Sequence, residues 1–153
     1  MMLYLARHGE ANPTTFDVEK KLSIKGTHDV NLTAASIGRM KAPVDRIWHS
    51  GKARAVQTAA ILADHLQYEK RLEQTDGLAP NDDPAVWAER LETMREDVML
   101  VGHLPHLSRL ASMLLCGNPD RSIIDFRPAG IACLKRAEGR WTIAWVITPD
   151  ILA

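Results

Sequence analysis

The chain has 153 residues, and its 19 Lys+Arg are matched by 19 Asp+Glu, so the formal charge at pH 7 is zero. Affinity for nucleic acid or an anionic membrane rests largely on neutralising phosphates with an excess of cations, so this balance excludes an extended polyanion as the main partner. Any cationic site has to be local. A composition of 46% hydrophobic and 25% charged residues is that of an ordered globular chain. One core at this length can bury roughly 68–70% of the unfolded surface without disulfides or metal, which predicts a single domain over residues 1–153. Cys116 and Cys133 have no C-x-x-C spacing and read as buried free thiols in a reducing compartment. The start, MMLYLARHGE, lacks the cationic and long apolar regions of a signal peptide, and no apolar run reaches the ~18 residues of a membrane span. The expectation is a cytoplasmic chain with no membrane and no nucleic-acid partner.

In chain order, Met2 to Ala6 is a short apolar strand, followed by a polar loop from Gly9 to Glu19. A helix is expected from about Ser23 to Met40, weakened by Gly26 and Gly38. Arg46 to His49 reads as a second strand, and Ala53, Val56, Ala60, Ala63 and Leu66 then recur at helical spacing. An edge strand near Glu69 to Gln74 precedes the turn-rich DGLAPNDDP, where Asp82 and Asp83 ahead of Pro84 signal a helix over Ala85 to Met94. DVMLVG, Asp97 to Gly102, is the strongest buried strand, and Leu104, Leu107, Leu110, Ala111, Leu114 and Leu115 form an apolar helical stripe after it. Ile131 to Leu134 and Trp141 to Ile147 read as a terminal hairpin turning through Ala137 to Arg140, with Trp141, Ile143, Trp145 and Ile147 alternating toward the core. Strand and helix alternation ending in a hairpin predicts a three-layer α/β domain, a mostly parallel mixed β-sheet flanked by helices.

Ligands of such sheets bind beyond the carboxyl ends of the strands. Three places there carry suitable side chains: Arg7-His8 after the first strand, Ser50 to Arg54 after the second, and His103 after DVMLVG. Each also has a plain structural reading. Arg7-His8 would serve as an edge ion-pair partner and a surface imidazole, Arg54 as a solvated helix residue, His103 as a helix-start residue, and Ser50 as a helix cap. Their recurrence after three separate strand ends favours one shared site, because two arginines, two histidines and free helix N–H groups describe a place for a phosphoryl group.

These residues carry a resemblance. LARHGEA at Leu5 to Ala11 resembles the R-H-G signature of the histidine phosphatase superfamily. KKLSIKG at Lys20 to Gly26 is similar to its R-P-L-T-x-x-G segment, HSGKARAVQTA at His49 to Ala59 to S-P-x-x-R-A-x-Q-T-A, and LVGHLPHLSRL at Leu100 to Leu110 to V-G-H-N-P-x-L. Four motifs in order are far more specific than any one. Gly51 stands where proline is usual, Lys20 and Lys21 replace Arg-Pro, and Leu104 takes the place of asparagine. With no inserted helical lid, the chain looks most like the SixA-type phosphohistidine phosphatases, which implies a phosphoglycerate mutase-like fold.

The resemblance implies that His8 is a nucleophile forming a phosphohistidine intermediate, that Arg7, Arg54 and His103 hold the phosphoryl oxygens, and that neither metal nor cofactor takes part. Ser50 would donate to the phosphate or cap its helix. A metal held by His103 and His106 is the competing reading, but no further ligand stands near them in sequence. Larger relatives place a general acid in the segment where this chain has Ala79 and Pro80; Glu73, Asp76, Asp82, Asp83 and Glu10 are the nearby carboxylates, with Glu10 the candidate beside the nucleophile. An alkoxide leaving group needs that acid, whereas a phosphorylated imidazole can be protonated beforehand and leave neutral. The expected substrate is therefore phosphohistidine on a signalling or phosphotransfer protein, with phosphate as product. The alternatives are a small-molecule phosphomonoesterase or mutase of the same superfamily, and a phosphoprotein-binding module without turnover.

Overall fold

Strands separated by helices must pair in parallel, because each helix returns the chain to the end where the next strand starts. The computed structural model describes residues 1–153, with β1 (Met2–Arg7), α1 (Ile24–Arg39), β2 (Arg46–His49), α2 (Ala53–His65), β3 (Glu73–Gln74), α3 (Pro84–Thr93), β4 (Val98–Gly102), α4 (His106–Cys116), β5 (Ile131–Ala137) and β6 (Arg140–Ile147). One sheet runs in the order β3-β2-β4-β1-β5-β6. Its first four strands are parallel, and β5 and β6 are antiparallel to their neighbours. Helices α3 and α4 cover one face, where Trp87, Leu91, Leu107 and Leu110 pack on Leu3, Leu5, Val98 and Leu100. On the other, Ala34 and Ile37 of α1 and Ala55, Ala59 and Leu62 of α2 pack on Tyr4, Ala6, Met99 and Val101. The result is the expected three-layer α/β arrangement. No helix is long and apolar enough to cross a membrane.

The register brings the sequence motifs to one edge. Arg7 lies opposite Gly102, and His49 opposite Val101, so β1, β2 and β4 end level and adjacent. His8, Ser50 and His103 are the next residues along each strand.

Local signals account for most boundaries. Ser23 caps α1 by accepting from the Gly26 N–H at 2.9 Å, and Asp83 caps α3 by accepting from the Ala85 N–H at 2.9 Å. Gly26, which weakens the helix on propensity alone, is a close-approach position. A Cβ there would stand 2.0 Å from the Glu10 carbonyl oxygen, so α1 can lie against the loop that follows β1 only with glycine at this point.

Three expectations are corrected. The edge strand is confined to Glu73–Gln74, because only these residues, with Trp48 and His49, find a ladder; Glu69 to Leu72 pair with no strand. Cys116 is exposed at the end of α4, and only Cys133 is buried. In β6 the pairing passes from Ile143 opposite Leu134 to Trp145 opposite Cys133, leaving Ala144 as a bulge. The bulge breaks the inward alternation. Trp141 packs against the α3/α4 face and Trp145 against the α1/α2 face, while Ile143 is 44% exposed.

Candidate active site

His8 is held by its backbone from two sides. Its N–H donates to the Gly102 carbonyl at the end of β4 (3.1 Å), and its own carbonyl accepts from the Ala129 N–H (3.1 Å). Its Nδ1 lies 2.7 Å from the Gly9 carbonyl oxygen. A carbonyl only accepts, so the proton sits on Nδ1 and the Nε2 lone pair is free. Burial, with Arg54, Arg7 and Lys20 adding to it, lowers the imidazole pKa from 6.5 to about 4 against the opposing Gly9 hydrogen bond. The ring is neutral at pH 7.

Arg7 is fastened to the same segment. Its N–H donates to the Gly130 carbonyl (3.0 Å) and its Nη1 to the Phe126 carbonyl (2.7 Å), while Nε is buried without a partner. The guanidinium thus keeps most of its donor fork for a ligand. Arg54, in the first turn of α2, is half-buried and pairs with no carboxylate. Burial lowers the pKa of both arginines, but a group with so high a starting value stays cationic.

His103 is buried, and its ring stands 4.9 Å from that of His8, tilted by 50°. Ser50 Oγ lies 2.6 Å from His103 Nε2, which orients the ring, while Nδ1 has no partner. Burial first, then His8, Arg54, Lys52 and His106, push the His103 pKa down to about 3. Two neutral imidazoles therefore stand among cations, a combination that disfavours a further proton and favours an anion.

Glu10 is less integrated. It is exposed, and its Oε2 accepts from the Ser23 hydroxyl at 3.2 Å at the head of α1. Of the other carboxylates considered from sequence, Asp82, Asp83 and Glu73 are engaged elsewhere. Asp82 accepts from the Ala79 N–H (2.9 Å), Asp83 caps α3, and Glu73 pairs with Arg46 at 2.9 Å. No three His, Cys, Asp or Glu side chains gather as they do around a metal ion.

The departures from the motif have local explanations. Gly51 has φ +87°, in the left-handed region, and the Gln74 amide would lie 2.5 Å from any Cβ; proline, fixed near φ −65°, fits only a different backbone. Leu104 turns away and packs on the α3/α4 face of the core.

Sequence reasoning missed two residues. Thr58 is buried, accepts from the Gly9 N–H (3.1 Å) and donates to the Arg54 carbonyl (2.8 Å), coupling the two motif segments. Its place in the Q-T-A stretch was the available signal. Lys20, which enters sequence reasoning only as a departure from the motif, is close enough to His8 for its charge to act on the ring.

Comparison with known proteins agrees with this picture. The profile of the histidine phosphatase superfamily (branch 1) matches residues 3–80. The phosphohistidine phosphatase SixA of Escherichia coli is 25% identical over 155 residues, covering 97% of this chain and 94% of the relative. An uncharacterised protein of Picosynechococcus is 30% identical over 147 residues, covering 92% and 88%. The structure of the protein histidine phosphatase SixA complexed with tungstate superposes with a TM-score of 0.87 at 26% identity, over 100% of both chains. The chain thus has the phosphoglycerate mutase-like α/β fold, belongs to the histidine phosphatase superfamily, and is a phosphatase of that superfamily.

Proposed function

We propose that this phosphatase removes the phosphoryl group from phosphohistidine carried on a signalling or phosphotransfer protein, through a phospho-His8 intermediate, in one catalytic domain over residues 1–153. The observation that carries the reading is the Nδ1 to Gly9 hydrogen bond, which leaves Nε2 of a neutral imidazole free to attack. In the first step the Nε2 lone pair forms a bond to phosphorus as the bond to the departing imidazole breaks; that imidazole, protonated beforehand on its far nitrogen, leaves neutral. In the second, water attacks phospho-His8, releases phosphate and returns the lone pair to Nε2. Arg7 and Arg54 stabilise the charge on the transferring oxygens, which is where most catalysis of phosphoryl transfer arises. A dianion against His103 raises the pKa of that imidazole, so the ring takes up a proton as substrate binds and donates to a phosphoryl oxygen, held in orientation by Ser50.

The lack of a carboxylate at Ala79 and Pro80, and the use of Asp82 and Asp83 in a turn and a cap, support a leaving group that needs no enzyme acid. The similarity to the phosphohistidine phosphatase SixA over 94% of its length supports a protein-borne phosphohistidine. A cytoplasmic setting is part of the same proposal.

The test offers a phosphohistidine peptide, a phosphoserine peptide, a sugar phosphate and phosphoglycerate to the chain and to His8→Ala, with EDTA present. Turnover of the phosphohistidine peptide, lost in His8→Ala, is expected. Native-rate release by His8→Ala sinks the intermediate, and turnover of the alcohol phosphates alone sinks the substrate class. Loss of activity in EDTA, restored by a divalent ion, overturns the metal-free mechanism.

A further inference from the structure

We propose that Lys20 is a substrate-binding residue, a cation additional to Arg7 and Arg54 that takes an oxygen of the phosphoryl group presented to His8; this rests on the phosphatase reading of the site. Lys20 has φ +52°, a left-handed conformation that costs a non-glycine residue energy. The loop is built to hold it there. The Lys20 N–H donates to the Asp17 carbonyl (3.0 Å), and both carboxylate oxygens of Asp17 are engaged, one by the Glu19 N–H and one by the Lys21 N–H, each at 3.1 Å.

The far side of the loop is fixed to the site. Asn12 donates to the Lys21 carbonyl (2.8 Å), Ala11 bridges Leu22, and the Leu22 N–H donates to Gln57 Oε1 (2.8 Å) in the segment that carries Arg54. Contacts on both sides thus hold in place a left-handed residue whose side chain is an ammonium.

That ammonium has no carboxylate partner in the protein. Glu19 pairs with Lys21 at 3.6 Å, Asp17 is spent on the backbone, and Glu10 accepts from Ser23. Lys20 is nonetheless half-buried, unlike its exposed neighbour Lys21. A half-buried cation with no carboxylate partner, on a loop tied to the segments that carry His8 and Arg54, is placed for an oxyanion, and the oxyanion this site handles is the phosphoryl group. The downward push of Lys20 on the His8 pKa, weaker than those of Arg54 and Arg7, agrees with that placement.

Inorganic phosphate is the probe. Its dissociation constant is measured by calorimetry for the wild type, Lys20→Met, Lys20→Gly and Lys20→Arg, alongside kcat and KM on the best substrate. Loss of one charge-assisted hydrogen bond, softened by solvent, corresponds to about tenfold weaker phosphate binding. Lys20→Met and Lys20→Gly should both show it, with a matching rise in KM and the acidic limb of kcat/KM moved to higher pH. Lys20→Arg should recover most of the affinity. Glycine relaxes the left-handed backbone while removing the charge, so it separates the two effects. Native phosphate affinity in both Lys20→Met and Lys20→Gly overturns the assignment, as does loss in Lys20→Met with native affinity in Lys20→Gly. Failure of the wild type on phosphohistidine overturns the substrate reading alone, since the phosphate measurement does not depend on it.

Discussion

Gly26→Ala adds one methyl group to the first turns of α1. On helix propensity it should stabilise by about 1 kcal/mol. The geometry reverses the sign: the new Cβ lies 2.0 Å from the Glu10 carbonyl oxygen and 2.9 Å from the Glu10 nitrogen and carbonyl carbon, all backbone atoms that cannot swing aside. Ordinary contact requires a separation near 3.4 Å, so helix and loop must part by more than ~1 Å. Overpacking of this kind costs roughly 1–3 kcal/mol, and the same shift stretches the 3.0 Å hydrogen bond from the Ser23 N–H to the Glu10 carbonyl. Net destabilisation of up to about 2 kcal/mol follows after the propensity gain. Because Glu10 follows His8 by two residues, a displacement of ~1 Å there is expected to reduce kcat about 100-fold. Gly38→Ala is the control at the other end of the same helix, where the Cβ meets the His65 carbonyl oxygen at 2.6 Å. It should lower stability and spare the rate. Urea midpoints and kcat for the two variants decide the matter. A Gly26→Ala protein more stable than wild type, or one with the same kcat as Gly38→Ala, refutes the reasoning.

Acid should unfold the protein through its histidines. His8 and His103 have folded pKa values of about 4 and about 3 against 6.5 when unfolded, so the unfolded chain binds more protons below pH 6.5. The stability they contribute is complete above that pH and is lost as it falls toward 4 and 3, at about 1.4 kcal/mol per pH unit for each group; urea midpoints that stay flat from pH 7 to 5 would contradict this. His106 is fully buried with both ring nitrogens unpartnered, and burial lowers its pKa too. Replacing it with leucine removes a polar group that has no hydrogen bond, so His106→Leu should be about 1–2 kcal/mol more stable at pH 7 in urea unfolding, with a smaller acid sensitivity.

The parts of the molecule legible from sequence are those governed by local pattern. DVMLVG reads as a strand buried on both faces because every residue from Val98 to Gly102 is buried, and Asp83 announces α3 by the cap it makes. Arg7, His8, Ser50, Arg54 and His103 were legible because each follows a strand or opens a helix, and the level ends of β1, β2 and β4 do the rest. What was not legible depends on partners distant in sequence. The bulge at Ala144 is a property of how β6 meets β5, so alternation alone places Trp141 and Trp145 on one face where the structure puts them on two. Gly26 looked like a flaw until the Glu10 backbone stood against it. Lys20 looked like a substitution until its backbone conformation and lack of a carboxylate partner were visible together.

The clamp on the residues after β1 has a consequence for the order in which the protein comes into being. Arg7 and His8 are synthesised more than a hundred residues ahead of the Phe126, Ala129 and Gly130 backbone groups that fix them. In between, β1 must wait for β4 and then β5 to close on either side. Such long-range pairing is slow relative to local helix formation. A nascent chain therefore carries the His8 imidazole through that interval without its alignment, and the site is complete only after the segment through Gly130 and β5 has been made.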